Sequence, residues 1–190
     1  MNIPEEQNDV LRDVCGRLER LGIAYMLTGS MALVCYAMPR MTADIDIVIE
    51  VVMDDADKII KEFEPDYYVP RLRVRDAIAR KSMFNLLHQE KIVKIDCVIR
   101  KDTEFQKQAF ARRKKIRFAG DFDVWIIGRE DLILSKLHWA KDTKSEMQIR
   151  DAASILRNGY DKDYVENWAK QLGIKELLNE ALRKLEENAE

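Results

Sequence analysis

The sequence predicts an α/β (α+β) fold over residues 1–127, followed by a helical subdomain over 128–190. Three observations predict it. Strand-like alternation recurs in the first part, most clearly in "ADIDIVIEV" (43–51), where Ile45, Ile47, Ile49 and Val51 face one way and Asp44, Asp46, Val48 and Glu50 the other. Helical patterns separate these strands. After Gly128 four helical patterns follow one another with no strand between them.

Residues 7–21 carry Val10, Leu11, Val14, Cys15, Leu18 and Leu21 at helical spacing, with Gly22 as the stop. "IAYML" (23–27) is a short β-rich run that ends at Gly29. "SMALVCYAM" (30–38) is apolar on every side, which predicts a buried helix closed by Pro39. Residues 54–64 form a surface helix with an acidic first turn, as the helix dipole favours. A short helix falls in the basic run "RLRVRDAIARK" (71–81). Residues 82–100 read as a β-hairpin turning near Gln89–Glu90, with Val93, Ile95, Cys97 and Ile99 on one face of its second arm and Ile92, Lys94, Asp96 and Val98 on the other. Thr103-x-x-Gln106 is a capping box opening a helix. "KKIRFA" and "DVWII" are further short strands. In the last part, Ser145-x-x-Gln148 has the form of a second capping box, and Asn158–Gly159 and Gly173 punctuate the helices.

The bulk numbers narrow the function. Hydrophobic residues at 47% and charged residues at 35% exclude a disordered chain. A net charge of −2 gives no global basic field, so a nucleic-acid partner would need a local patch. Cys15, Cys35 and Cys97 are odd in number and fit no metal spacing, which predicts reduced buried thiols in a cytoplasmic protein. No secretory signal is expected in "MNIPEEQNDV", and no apolar run approaches the ~20 residues that span a bilayer, so no membrane is expected.

The chemistry lies in the stretch from Gly29 to Asp46. Asp44 and Asp46 project from one face of a strand, roughly 6.5–7 Å apart at Cα. Asp96 sits at the polar phase of another strand. If the two strands are neighbours, three carboxylates meet, and their repulsion and desolvation call for a cation. Carboxylate oxygens suit Mg²⁺ or Mn²⁺, and Mg²⁺ is usually held by one or two carboxylates plus substrate phosphates. Gly29 permits close backbone approach, the following helix N-terminus offers amides to an anion, and Ser30 adds a hydroxyl. Taken singly, a Gly-Ser before a helix is a loop with an N-cap and an Asp-x-Asp is a solvated strand face. Their joint order, with a later Asp on a strand, points to a phosphate cradle beside a metal clamp.

That order resembles the nucleotidyltransferase superfamily of DNA polymerase beta type: Gly-Ser, a helix, Asp-x-Asp on a strand, then a third Asp. Thirteen residues (31–43) separate Ser30 from Asp44, and the resemblance covers residues 23–99. "RMTADID" (40–46) is similar, more specifically, to the Arg-x-Thr-x-Asp-Ile-Asp of AbiEii-type nucleotidyltransferase toxins of toxin–antitoxin systems. The resemblance implies a mixed β-sheet flanked by helices and metal-dependent transfer of a nucleoside monophosphate from an NTP, such as ATP. Asp44, Asp46 and Asp96 would be the catalytic metal ligands, with Asp96 also the base on the acceptor hydroxyl. Gly29, Ser30, Arg40 and Thr42 would bind the nucleotide. A tRNA or protein acceptor and an antitoxin partner go with the toxin-like role. A small-molecule acceptor and a catalytically silent nucleotide-binding or protein-interaction module are the alternatives.

In the helical part, Lys136 lies on the row Leu132–Lys136–Ala140 and Asp151 on the row Met147–Asp151–Ile155. Lys136 either snorkels to the surface or reaches the triphosphate as a compact cation. Asp151 pairs with Lys136 or with a neighbouring Arg. Both resemble the toxin family's C-terminal Lys and Asp, which adds them to the nucleotide-binding set. His88 and His138 read as structural, and Trp125, Trp139 and Trp168 as packing residues. The basic run Arg71, Arg73, Arg75, Arg80, Lys81 and the cluster 112–115 are solvated faces or a local patch for RNA phosphates.

Overall fold

The computed structural model describes residues 3–37 and 44–187. Helix α1 (Glu5–Arg20) starts after Pro4 and buries Val10, Leu11, Val14, Cys15 and Leu18. Strand β1 (Ala24–Thr28) leads directly into α2 (Gly29–Leu33), and β2 (Asp44–Glu50) follows. A 3-10 turn (Met53–Asp55) opens α3 (Ala56–Phe63), then come β3 (Tyr67–Tyr68) and α4 (Arg71–Arg80). The hairpin is β4 (Met83–His88) and β5 (Lys94–Ile99). Helix α5 (Glu104–Ala111) and a second hairpin, β6 (Lys114–Phe118) and β7 (Phe122–Ile126), complete the strand-bearing part. Helices α6 (Arg129–Thr143), α7 (Glu146–Leu156), α8 (Lys162–Gln171) and α9 (Lys175–Glu187) close the chain.

The strands form one mixed seven-stranded sheet in the order β3-β4-β5-β2-β1-β7-β6. β2 lies at its centre, antiparallel to β1 and parallel to β5. Its alternation explains that place. Ile45, Ile47 and Ile49 are at most 1% exposed, so one face of β2 anchors the core. Burial of each contributes about 1.5–3 kcal/mol, which fixes the register and leaves the other face to the carboxylates. Among the described residues no helix is long and apolar enough to cross a membrane.

Four local expectations differ from what is observed. The helix predicted over 30–38 is only α2, after which Cys35 and Tyr36 donate i→i−3 bonds to Ala32 and Leu33. Long-range bonds take over there: the Tyr36 hydroxyl donates to the Ile127 carbonyl and the Asn158 amide donates to the Tyr36 carbonyl. Pro39 lies outside the described residues. Ser145 makes no side-chain cap: the Gln148 N–H donates to the Ser145 carbonyl, and the Gln148 side chain turns inward to accept from Lys136. Trp139 is exposed on the outer face of α6, whereas Trp125 and Trp168 pack against the core as expected. The Thr103 hydroxyl caps α5 by accepting from the Gln106 amide, but the Gln106 side chain reaches the Lys101 N–H instead of the Thr103 N–H. Cys15, Cys35 and Cys97 are free thiols.

Candidate active site

Sheet register gathers the carboxylates. Asp46 is paired with Thr28 of β1 on one side and with Asp96 of β5 on the other, and Asp44 is paired with Lys94. Parallel pairing of β2 with β5 therefore puts Asp46 and Asp96 side by side. Burial raises the proton affinity of Asp46, and the neighbouring Asp96 and Asp44 carboxylates raise it further. Two groups oppose that rise: the Ser30 backbone N–H, which donates to Asp46, and the positive charge of Lys136.

The β1–α2 junction is shaped around Asp46. Gly29 has φ +62°, and a Cβ there would lie 1.9 Å from Asp46 Oδ2 and 2.5 Å from its Cγ. Only glycine fits, for the left-handed backbone and for the space. Ser30 is buried, and its N–H serves the carboxylate. Of the α2 N-terminal amides expected to face an anion, that of Ser30 is engaged by Asp46.

Lys136 and Asp151 form the second half. Lys136 Nζ donates to Asp151 Oδ2 at 2.7 Å and to Gln148 Oε1 at 3.2 Å. Both charged residues are buried, so Lys136 does not snorkel. The helical part thus delivers an oriented ammonium to the Asp46 side of the sheet. Arg40 and Thr42 lie outside the described residues.

Three residues at this site escaped the sequence reading. Lys94 Nζ sits 3.0 Å from Asp44 Oδ2, 3.2 Å from Asp96 Oδ1 and 3.3 Å from Asp96 Oδ2. Its bond to Asp44 holds the ammonium above the ordinary lysine range despite partial desolvation, with Asp96 adding to the effect. Asn85 Nδ2 donates to Asp96 Oδ1 at 2.6 Å from the paired position on β4. Gln148 is the third. The available signal was phase: Lys94 shares the Asp96 face of β5, two residues away.

Among the described residues, no group of three or more carboxylate, imidazole or thiol side chains is gathered as a finished metal cage. The donor set nevertheless suits a hard divalent cation. Asp46 and Asp96 repel each other, a cationic ammonium already bridges Asp44 and Asp96, and Mg²⁺ needs only one or two carboxylates when phosphates supply other oxygens.

The other charged features are accounted for locally. Arg71 pairs with Glu64, Arg75 with Asp57, Arg73 and Arg80 with Asp76, and Lys81 with Asp102. In the 112–115 cluster, Arg112 pairs with Asp131, Arg113 stacks on Phe110 and Trp125, and Lys115 lies near Asp123. His88 accepts from the Lys91 N–H and packs edge-on against Tyr67, which closes the hairpin turn, and His138 is exposed.

A profile of the family described as "Nucleotidyltransferase of unknown function (DUF6036)" matches residues 7–180. The chain belongs to this nucleotidyltransferase family. The match takes in both the carboxylate strands and the helices that carry Lys136 and Asp151. No curated protein sequence matches the chain. Solved structures share the fold of this family member. An antigenic nucleotidyltransferase-like protein from Paracoccidioides brasiliensis superposes with TM-score 0.65 at 17% identity, covering 98% of this chain and 91% of its own. A putative nucleotidyltransferase from Thermotoga maritima gives 0.54 at 16% identity, covering 77% and 92%. The lincosamide antibiotic adenylyltransferase LnuA, with lincomycin bound, gives 0.50 at 18% identity, covering 82% and 99%.

Proposed function

We propose that this nucleotidyltransferase-family protein transfers a nucleoside monophosphate from an NTP to an acceptor hydroxyl, using Mg²⁺ or Mn²⁺ held by Asp44, Asp46 and Asp96. The observation that carries the reading is the in-register pairing of Asp46 with Asp96, beside a glycine that only fits because it is bare. Bound there, the cation would neutralise phosphate charge and the repulsion between the carboxylates. Asp96 accepts the acceptor proton at its carboxylate oxygen. The acceptor oxygen then bonds to the α-phosphorus, and the bond to the bridging oxygen breaks, so that pyrophosphate leaves with the electron pair. Gly29 lets the β1–α2 backbone approach the phosphates, and the Ser30 hydroxyl donates to them. Lys136, aimed by Asp151 and Gln148, supplies a point charge to the triphosphate. Arg40 and Thr42 join the nucleotide contacts.

For the acceptor, the "RMTADID" stretch supports a macromolecule, tRNA or protein, in a toxin-like role with an antitoxin partner. A small-molecule acceptor is the second reading. It is favoured by the acids that neutralise the basic run 71–81, which leave RNA phosphates little unmatched charge there. The fold shared with LnuA points the same way.

Each α-labelled NTP, incubated with the protein, Mg²⁺ and either total tRNA, a protein extract or a panel of antibiotics, tests the reading. Label should enter one acceptor class and vanish with Asp44→Asn or Asp46→Asn. The absence of label in every mixture, together with no metal-dependent NTP binding, overturns the proposal.

A further inference from the structure

We infer that Lys94 is a built-in counter-cation that competes with the divalent metal for Asp44 and Asp96. The inference rests on the metal-dependent reading above. The Lys94 ammonium is within hydrogen-bond distance of one Asp44 oxygen and both Asp96 oxygens. These two residues sit on adjacent parallel strands, and Lys94 is itself the sheet partner of Asp44. Register therefore places the ammonium by construction. A divalent cation coordinated by Asp44 and Asp96 requires the same oxygens, and an ammonium a few ångströms away would repel it. Metal entry therefore requires the Lys94 side chain to swing out, and it is half-exposed, which leaves it room to do so. In the metal-free protein Lys94 keeps the carboxylates gathered. When metal and NTP arrive together, the released ammonium stands at the rim of the site with a phosphate to bind. The arrangement thus favours metal delivered with a nucleotide over metal alone.

The test is calorimetric titration with Mn²⁺ alone, without nucleotide, on the wild-type chain and on Lys94→Met. Removing the competing charge should tighten Mn²⁺ binding by about tenfold or more and lower the melting temperature of the metal-free protein. Equal or weaker binding by Lys94→Met, with the wild type binding Mn²⁺ normally, overturns the role of Lys94 and leaves the metal reading standing. If neither protein binds Mn²⁺ alone, the role of Lys94 falls, while the metal reading is decided separately by metal-dependent NTP binding. A second measurement needs no variant. Acetylation of Lys94 in the folded wild type, followed by peptide mass spectrometry, should speed up as Mn²⁺ saturates the site. A rate indifferent to Mn²⁺ overturns the inference.

Discussion

Gly29 is the residue on which the geometry presses hardest. Gly29→Ala would put a methyl group into the Asp46 carboxylate and a left-handed backbone on an L side chain. The backbone term alone costs about 1–2 kcal/mol. Displacing Asp46 by an ångström should lower transfer by about 100-fold or more, measured as label incorporated per minute beside the melting temperature. The thiols make a separate prediction. Burial pushes Cys15 up to about 12 and Cys35 up to about 11. At pH 8 about one Cys35 in a thousand is thiolate, so iodoacetamide should label the native protein slowly and the unfolded protein quickly. At this scale the sequence was legible where the chemistry needs an unusual residue in a regular pattern. A bare Gly-Ser and two carboxylates on one side of an isoleucine-rich strand violate their surroundings visibly. Lys94 and Asn85 do not. A lysine or asparagine on the polar phase of a strand is ordinary, and only the β2–β5 and β4–β5 registers bring Lys94 to Asp44 and Asn85 to Asp96.

Among the elements, periodicity gave β2, β5 and the four C-terminal helices because burial follows the same period as the sequence. It failed for α2, whose apolar run continues past Leu33 while tertiary bonds to Ile127 and Asn158 pull the backbone into turns. It missed β3, since two residues cannot display an alternation. Gln148 misled for a different reason: its spacing from Ser145 suits a cap, yet a buried ammonium competes more strongly for its oxygen. The α6–α7 pair carries the clearest energetic prediction. Lys136→Met or Asp151→Leu alone breaks the buried ion pair and should cost about 3–5 kcal/mol in urea unfolding. The double variant should recover most of that stability. Transfer should stay low in Lys136→Met and in the double variant, because the ammonium is missing from both. A double variant that regains transfer would show that Lys136 serves packing only.

Across the whole molecule, the sheet and the C-terminal helices share one buried core, which predicts a single cooperative unfolding transition. One clasp between them is readable by pH. The Tyr164 hydroxyl of α8 donates to Asp131 Oδ1 of α6 at 2.6 Å, and Arg112, just after α5, donates to Oδ2 at 3.2 Å. Burial nevertheless holds Asp131 above its ordinary value of 3.8, with Tyr164 and Arg112 opposing the rise. A raised folded value means that the ionised group costs stability at neutral pH, and that cost shrinks as pH falls through the raised value and is gone below the ordinary one. Tyr164→Phe should therefore cost about 1–3 kcal/mol at pH 7 and progressively less as the carboxyl protonates, read from melting curves across pH. The same assembly sets the Lys136 charge of the helices against Asp46 of the sheet, so the proposed nucleotide site draws on both parts. The most direct measurement is calorimetric titration of the chain with non-cleavable NTP analogues, with Mn²⁺ and again with EDTA. At least one nucleotide should bind with Mn²⁺ only, and Asp46→Asn should abolish that binding. Binding of equal strength in EDTA, or no binding of any nucleotide with Mn²⁺, would contradict a metal-dependent nucleotidyl-transfer site at Asp44, Asp46 and Asp96.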